Sequence, residues 1–587
     1  MTSPFFGLDV ATRALRANQT LVDITNQNIA NANTPGYSRQ QAVVKETLPY
    51  PIPVFKQSGE PGQLGTGVQV TSITRARDSF TDYQYRNQIA AQGNWTAQQN
   101  ALKQIEAVVN EPSTSGISSR LNKYWDAWEE VSNSPTDVSV RANLLEQGKA
   151  VADAFQNTVQ LLQQQQRDVD LQIRLGTDDI NNYAHQIANL NAQISNVETT
   201  GLHANDLRDQ RDLLVDKLSE LVKVTSVESS EGSVSIYLGG RQLVDRDHVN
   251  KLDLDVNSGP FAQVIWADGT NTPVSVADGR LAGLIESRDT VLADRISEIN
   301  DLAGRVIQSV NSVHAAGVGL DGMGGLNFFN GTDAATIAVD PSLTVNHVAA
   351  ARSYADPSSV TTPPAYLHAA GDSTNAVALS QLKSKLTQRS AGLNNGDVTG
   401  GATVLGVDVA SAAPNSVFTF AYSAGPPEAL TVSNGGPATA ATFTVASNQA
   451  DPTPATRRVL TIDTGTLGVR VTISVPATGS AAADVSTALT SLNGQSVQTL
   501  GPSTIGDQYA QEVAAIGVLS STAQSQAANQ GVLVTHLERQ RQEVSGVSID
   551  EEATHLIQYQ HAYQAAARVI SVMDSMLDTL INGTGAH

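Results

Sequence analysis

Apolar residues near the C-terminal end of the chain recur with one narrow period. Leu556, Tyr559, Tyr563, Ala566, Ile570, Met573, Leu577 and Leu580 follow one another at spacings of three and four. Those spacings put all of them on an a/d seam, narrower than the apolar stripe of an ordinary surface helix. The boundaries of this helix are also written in the sequence. Ser548 with Glu551 forms a capping box, Asp550, Glu551 and Glu552 suit the positive end of the helix dipole, and Asn582-Gly583 is a stop. The pattern predicts a helix of roughly 33 residues and about 50 Å. At the other end of the chain, Ser3 is a candidate N-cap with Pro4 in the first helical position. Leu8, Leu15, Val22 and Ile29 recur every seven residues, while Ala11, Asn18, Thr25 and Ala32 fill the alternate positions and make a weaker seam. Thr34-Pro35-Gly36 ends this helix, because proline disfavours helix before it and Pro-Gly suits a type II turn.

One helix cannot bury its own seam. A bundle closed within the chain produces this pattern. So does a pair formed by the two chain ends that buries its remaining apolar surface on neighbouring subunits and orders as it assembles.

Between the ends, residues 95–222 read as helices. Leu102, Ile105 and Val109 share a face of the first. Residues 143–174 form a Gln-rich helix around the run 163–166, and Ile180, Ile187, Leu190 and Ile194 continue the spacing in another. Val234, Ile236 and Leu238 alternate with Ser235 and Tyr237 and are followed by Gly239-Gly240, a strand and a turn. A helix over about 281–316 follows. Residues 327–499 are rich in Ala, Thr, Ser, Gly and Val, with Val417, Thr419, Val432, Phe443, Val445, Val459, Val469, Val471 and Ile473 marking short strands. The expected fold is multidomain α+β. Discontinuous terminal coiled-coil helices (1–40 with 546–587) form an inner layer, and a central helical bundle (41–222 with 281–326 and 500–545) forms a rod. A small β-rich module (223–280) and an inserted β-rich outer domain (327–499) complete it.

Composition narrows the function. At 587 residues the chain exceeds a single core and calls for roughly three or four domains. With 36 basic and 57 acidic residues the net charge is −21, and no Lys/Arg run offsets it, so neither nucleic acid nor membrane insertion is expected. There is no cysteine, which excludes disulfides, thiolate metal sites and cysteine nucleophiles. A thiol-poor cytosolic protein and an extracellular one that must not cross-link in transit both fit that absence. No stretch approaches the roughly 20 apolar residues of a membrane span. The N-terminus lacks the basic and apolar regions of a signal peptide, so an extracellular location implies another export route.

Several patterns that suggest chemistry lack its context. Gly317-Val318-Gly319-Leu320-Asp321-Gly322 fits G-x-G-x-x-G but follows a helix and opens none, so it reads as a turn. Asp253, Asp255 and Asn257 match the start of a calcium loop. Its glycine is displaced to Gly259 and its twelfth position is Val264, which favours an incidental strand and leaves a weak ion site open. His555 and His561 are six apart, not one helical turn. Asp209 and Asp212 lie among arginines and read as ion pairs on a solvated face. No catalytic residue, cofactor or metal is expected, and the chain does not read as an enzyme.

The segment Asn28-Ile29-Ala30-Asn31-Ala32-Asn33-Thr34-Pro35-Gly36-Tyr37-Ser38-Arg39 resembles the N-terminal signature of flagellar rod, hook and hook-associated proteins. Residues 546–553 and 559–570 resemble their C-terminal signature. Two interior stretches, 206–218 (DLRDQRDLLVDKL) and 279–289 (GRLAGLIESRD), are similar to stretches typical of the FlgK family. The resemblance spans about 1–330 and 500–587 and implies a structural subunit that joins hook to filament in the bacterial flagellum. It implies contacts with further copies in a ring, with hook protein and with a second hook-associated junction protein. It also implies an export chaperone at the C-terminal helix and extracellular delivery through the flagellar type III channel. The expected assembly residues are Leu8, Leu15, Val22, Ile29, Leu556, Tyr559, Tyr563, Ile570, Met573, Leu577 and Leu580, and Asn31, Asn33, Thr34, Pro35, Gly36 and Tyr37 carry the family motif. The alternatives are another axial protein, hook or rod subunit, or a flagellum-borne enzyme with activity in 327–499.

Overall fold

The computed structural model describes residues 5–49, 64–229, 231–257, 259–352, 371–385 and 503–583, and between them the strands named below. The N-cap expected at Ser3 and Pro4, the strand residues Phe443 and Val445, and the side chain of Leu580 lie outside the described residues. The helices are α1 Phe6–Asn31, α2 Ser79–Val109, α3 Ile117–Asn133, α4 Val138–Glu198, α5 Asn205–Leu221, α6 Arg280–Glu286, α7 Leu292–His314, α8 Thr374–Ser380, α9 Ile505–Ser545 and α10 Ile549–Gly583. The chain divides into two units: residues 1–104, 164–293 and 518–587, and residues 105–163 and 294–517.

In the first unit, α1 packs along α10 and against the hairpin of β1 Gln40–Glu46 and β2 Val68–Arg75. These strands pair antiparallel from Gln40↔Arg75 to Glu46↔Val68, with a bulge at Val43/Val44. The module that follows α5 is a four-stranded antiparallel meander, β3 Val224–Glu228, β4 Val234–Leu238, β5 Arg241–Asp245 and β6 His248–Val249, beside a hairpin of β7 Leu252–Asp255 and β8 Gln263–Trp266. Val234, Ile236 and Leu238 face inward, and the Gly239-Gly240 turn takes the positive φ angles of 57° and 83° that a two-residue hairpin loop needs. Two asparagines of α4 pin the module through reciprocal backbone bonds. The Asn191 amide donates to Val234 O at 2.8 Å and its oxygen accepts from Val234 N at 3.0 Å, and Asn181 does the same with Leu252 at 2.9 Å. Asp253 and Asp255 are ladder residues opposite Ile265 and Gln263.

Two sequence expectations change here. Residues 143–174 and 180–194 belong to one helix, α4, of 61 residues. No proline or cap separates them, Gly176 is tolerated, and the Thr177 hydroxyl back-bonds to Ile173 O at 2.9 Å. The helix expected over 281–316 is interrupted by a π turn at Ser287–Val291, where the Ser287 hydroxyl donates to Gly283 O at 2.6 Å.

The second unit has an aromatic core. Tyr124 and Trp128 of α3 meet Phe328 and Phe329, with Tyr124–Phe328 and Trp128–Phe328 ring centres 5.5 and 5.6 Å apart. Asn311 holds the Phe328-Phe329 backbone by accepting from both N–H groups at 2.9 Å and donating to Phe329 O at 2.7 Å. Short antiparallel pairs join Gly317–Val318 to Ala351–Arg352, Phe329–Asn330 to Ala338–Val339, and Tyr354–Ala355 to Tyr366–Leu367. Further on lie a five-stranded sheet (Thr387–Ser390, Ser496–Ser503, Val417–Ser423, Ala429–Ser433, Thr439–Ala441) and a four-stranded one (Thr403–Val409, Val469–Pro476, Arg457–Asp463, Gln449–Ala450), both antiparallel. The fold is multidomain α+β.

The core of this unit also contains a titratable group. His314 is fully buried and bridges two loops, with Nδ1 at 2.7 Å from Leu326 O and Nε2 accepting from Ala349 N at 3.0 Å. That pattern fixes the neutral tautomer with the proton on Nδ1. Burial pushes its pKa down to about 4. The unfolded chain therefore takes up this proton near pH 6.5 and the folded chain only near 4, so the contribution is complete above 6.5 and is lost as the pH falls through that window. Between pH 7 and pH 5 the loss is about 2 kcal/mol. Urea unfolding of wild type and His314→Gln at both pH values checks it: the variant is weaker at pH 7 but flatter with pH.

Candidate functional site

The two ends of the chain meet residue by residue. α1 and α10 run antiparallel, with Gly7 against Met573 at one end of the pair and Asn28 against Glu552 at the other. Thr34-Pro35-Gly36-Tyr37 closes the expected turn, with Tyr37 N donating to Thr34 O at 3.2 Å and Gly36 at φ 81°. The turn folds the chain back over α1 so that Tyr37, Ser38, Arg39 and Gln40 all face inward partners.

Asn28 uses its whole amide. Its nitrogen donates to Gln40 O and to Glu552 Oε2, both at 3.0 Å, and its oxygen accepts from Tyr37 Oη at 2.8 Å and Gln40 N at 2.9 Å. Arg39 closes the loop by donating from Nε to Glu552 Oε1 at 2.7 Å, and its backbone N–H donates to Ser545 O at 2.9 Å. Glu552 is only 2% exposed. The sequence suggested a dipole-compensating charge at this position; the structure makes it the junction of the N- and C-terminal signatures. Burial, with Asp206, Asp209 and Glu552 nearby, holds the Tyr37 phenol well above its usual range, so it remains a donor. Asn31 and Thr34 bond each other at 3.2 Å, and Asn33 is exposed.

The interior stretch 206–218 supports this latch from below. Ser38 donates through N and Oγ to the Asp209 carboxylate at 2.9 and 2.7 Å, and Gln40 Nε2 donates to Asp206 at 2.7 Å. Arg75 bridges Asp209 and Asp212, both at 2.8 Å, and Arg77 pairs with Asp82 at 2.6 Å and approaches Asp212 at 3.4 Å. Arg86 pairs with Asp216 at 2.7 Å. Arg541 of α9 reaches Asp82 at 2.8 Å and Asp216 at 2.6 Å. The carboxylates of Asp82, Asp209, Asp212 and Asp216 are buried, which corrects the solvated face expected for Asp209 and Asp212. An α5 helix packed between the β1–β2 hairpin and neighbouring helices has no solvated side at these positions. Burial raises Asp209 more than Arg75 and Ser38 lower it. For Asp212 burial also acts upward, but Arg77, Arg75 and Arg86 outweigh it and hold the carboxyl well below the usual range. These carboxylates are engaged by guanidinium groups, an arrangement that fixes geometry rather than transferring protons.

The stretch 279–289 has a packing explanation. Gly279 takes φ 102°, and a Cβ there would meet Leu221 O at 2.6 Å; a Cβ on Gly283 would overlap Asn94 O. Arg288 donates to Asp170 at 2.6 Å and to Ala262 O at 2.7 Å. Among the described residues no three His, Asp or Glu side chains converge as metal ligands.

The seam residues are less buried than the latch. Leu8, Leu15, Val22, Ile29, Leu556, Tyr559, Ile570, Met573 and Leu577 are half-buried, Tyr563 is 36% exposed, and among the described residues of the C-terminal seam only Ala566 is fully buried. On α1 the fully buried positions are Ala11, Ala17, Ile24, Thr25 and Asn28. α10 also has an exposed Ile557 on one face and, on another, a second apolar stripe, Val569, Val572 and Met576, with Met576 60% exposed. A groove of about 720 Å³ runs along this face, lined by His561, Ala565, Arg568, Val569, Val572 and Met573 among others. Val569, Val572 and Met576 repeat the 3-4 spacing of the seam one position over, so the same periodicity contains both.

Comparison with known proteins places these features. Residues 102–329 match the flagellar hook-associated protein FlgK helical domain, 538–583 the C-terminal region of flagellar basal body rod FlgEFG proteins, and 8–37 the flagella basal body rod protein family. Flagellar hook-associated protein 1 of Bacillus subtilis is 28% identical over 100% of this chain and 99% of its own length, and that of Escherichia coli 26% identical over 97% and 98%. The flagellar hook junction protein FlgK from Burkholderia pseudomallei is 20% identical, with a TM-score of 0.47 over 79% of this chain and 100% of that one. With the rod-type signatures at both ends and the FlgK helical domain between them, the chain belongs to the FlgK family of flagellar hook-associated proteins.

Proposed function

We propose that this chain is a structural subunit of the bacterial flagellum that forms the junction between hook and filament. The observation that carries the reading is the incomplete burial of its joined ends. The Asn28–Glu552–Arg39 latch locks the two signatures together, yet the α1–α10 pair leaves a second apolar stripe on α10 exposed. Apolar stripes of this kind mark protein interaction surfaces. The segment 1–40 with 546–587 acts as the inner assembly domain, and its half-buried seam residues complete their burial on neighbouring subunits. The partners are further copies of the chain in a ring, hook protein on one side and a second hook-associated protein on the other. An export chaperone covers α10 before delivery through the flagellar type III channel to the cell exterior. No catalysis is proposed. The full-length relatives named flagellar hook-associated protein 1, together with the helical-domain match over 102–329, favour the junction over a hook or rod subunit, whose families match only the ends.

Isolated hooks lacking filaments test this reading. Purified chain is expected to cap their distal ends in electron micrographs and to permit filament growth when the second junction protein and flagellin follow. Absence of capping, or capping at the rod end, overturns it.

A further inference from the structure

The chain has four methionines and no cysteine, so thioethers are its only sulfur. Met573 and Met576 stand one turn apart on α10, and both line the groove of about 720 Å³. Met576 is 60% exposed, whereas Met573 is half-buried and its terminal methyl rests on Gly7 of α1. The contact is so close that a single carbon added to Gly7 would overlap Met573 Cε, and Met573 Sδ lies 3.7 Å from where that carbon would sit. A side chain at one end of the α1–α10 contact is thus reached from an open groove. We propose that Met573 is an oxidation site at which a hydroperoxide loosens the pairing of the two chain ends.

The chemistry needs no protein catalyst. A sulfur lone pair attacks the outer peroxide oxygen, the S–O bond forms and the O–O bond breaks. The departing oxygen takes up the proton and leaves as water, or as an alcohol from an organic peroxide. Sulfur is oxidised by two electrons and the peroxide is reduced by two. The product turns a flexible apolar side chain into a polar one with an added oxygen, next to a terminal methyl that is already closely seated on Gly7. Met576 takes the same oxidation with less consequence, because its exposed side chain can keep the new oxygen in water.

Hydrogen peroxide treatment of the purified full chain, followed by peptide mass mapping and amide hydrogen exchange of residues 6–31, tests this. Sulfoxide at Met573 is expected to speed exchange in α1 by about tenfold, and methionine sulfoxide reductase is expected to reverse it. Met573→Leu, which conserves volume, is expected to keep slow exchange even with Met323 and Met576 oxidised. The proposal is overturned if Met573 stays unmodified while the half-exposed Met323 reacts. Unchanged α1 exchange at full Met573 sulfoxide overturns it too, as does equal loosening of the Met573→Leu chain or fast α1 exchange before any treatment. The bearing on assembly rests on the junction reading above. Failure of untreated chain to cap hooks counts against that reading, and equal capping by treated and untreated chain counts against a role for Met573 in assembly.

Discussion

Asp212→Ala lowers the stability of the unit that contains α5 by about 3–5 kcal/mol, read as a shift of the urea midpoint. Asp212 is 9% exposed and meets Arg75 at 2.8 Å, Arg77 at 3.4 Å and Arg86 at 3.5 Å. Removing it leaves three guanidinium groups in a low-dielectric site with one anion fewer. The cost is mainly that of an uncompensated buried charge, not the value of one bond. Asp212→Asn is expected to cost less, since the amide oxygen still accepts from Arg75 while the charge is gone. High salt should leave the difference between wild type and Asp212→Ala nearly unchanged, because screening reaches exposed pairs far more than buried ones. A change under about 1 kcal/mol, or one abolished by 1 M salt, would mean that the network is solvated and behaves as surface pairs do.

This network marks the limit of what the sequence could disclose. The periodicity of α10 and its capping residues were legible because each depends on neighbours along the chain; Glu551 N indeed reaches the Ser548 hydroxyl at 3.5 Å. The turn at Pro35-Gly36 was legible for the same reason. Glu552 was not, since its partners Asn28 and Arg39 are more than 500 positions away, and an acid in a first helical turn already has a local explanation. Asp209 and Asp212 looked solvated because spacing identifies a helix face and not what covers it. The Gln-rich run shows the same gap. Gln165 and Gln166 spend their amides on Ala101 O and Arg288 O at 2.8 Å, contacts that composition cannot reveal. The resemblance picked out the stretches 206–218 and 279–289 without their physics, which is a buried charge cluster in the first and glycines at close backbone approaches in the second.

Ile570→Asp and Leu556→Asp are each expected to abolish filament attachment in a strain lacking its own copy of the gene, leaving bare hooks and non-swimming cells. Both side chains are half-buried in the α1–α10 pair, so a carboxylate there is desolvated without a cation designed to receive it. These substitutions alone do not separate a damaged pair from a damaged contact with a neighbour. Val572→Asp does: Val572 is 46% exposed, lies on the second stripe of α10 and lines the groove. In the isolated chain it should change stability by less than about 0.5 kcal/mol, the usual range for surface positions. If that stripe is covered by another subunit, the same change should block attachment as completely as Ile570→Asp. Normal filaments with Val572→Asp, alongside bare hooks with Ile570→Asp, would confine the role of the terminal helices to holding the chain ends together. Normal filaments with all three would remove both seams from assembly. Bare hooks with all three, and a stable isolated Val572→Asp chain, would make the exposed stripe an intersubunit surface, because the only property changed is one that the single chain leaves to solvent.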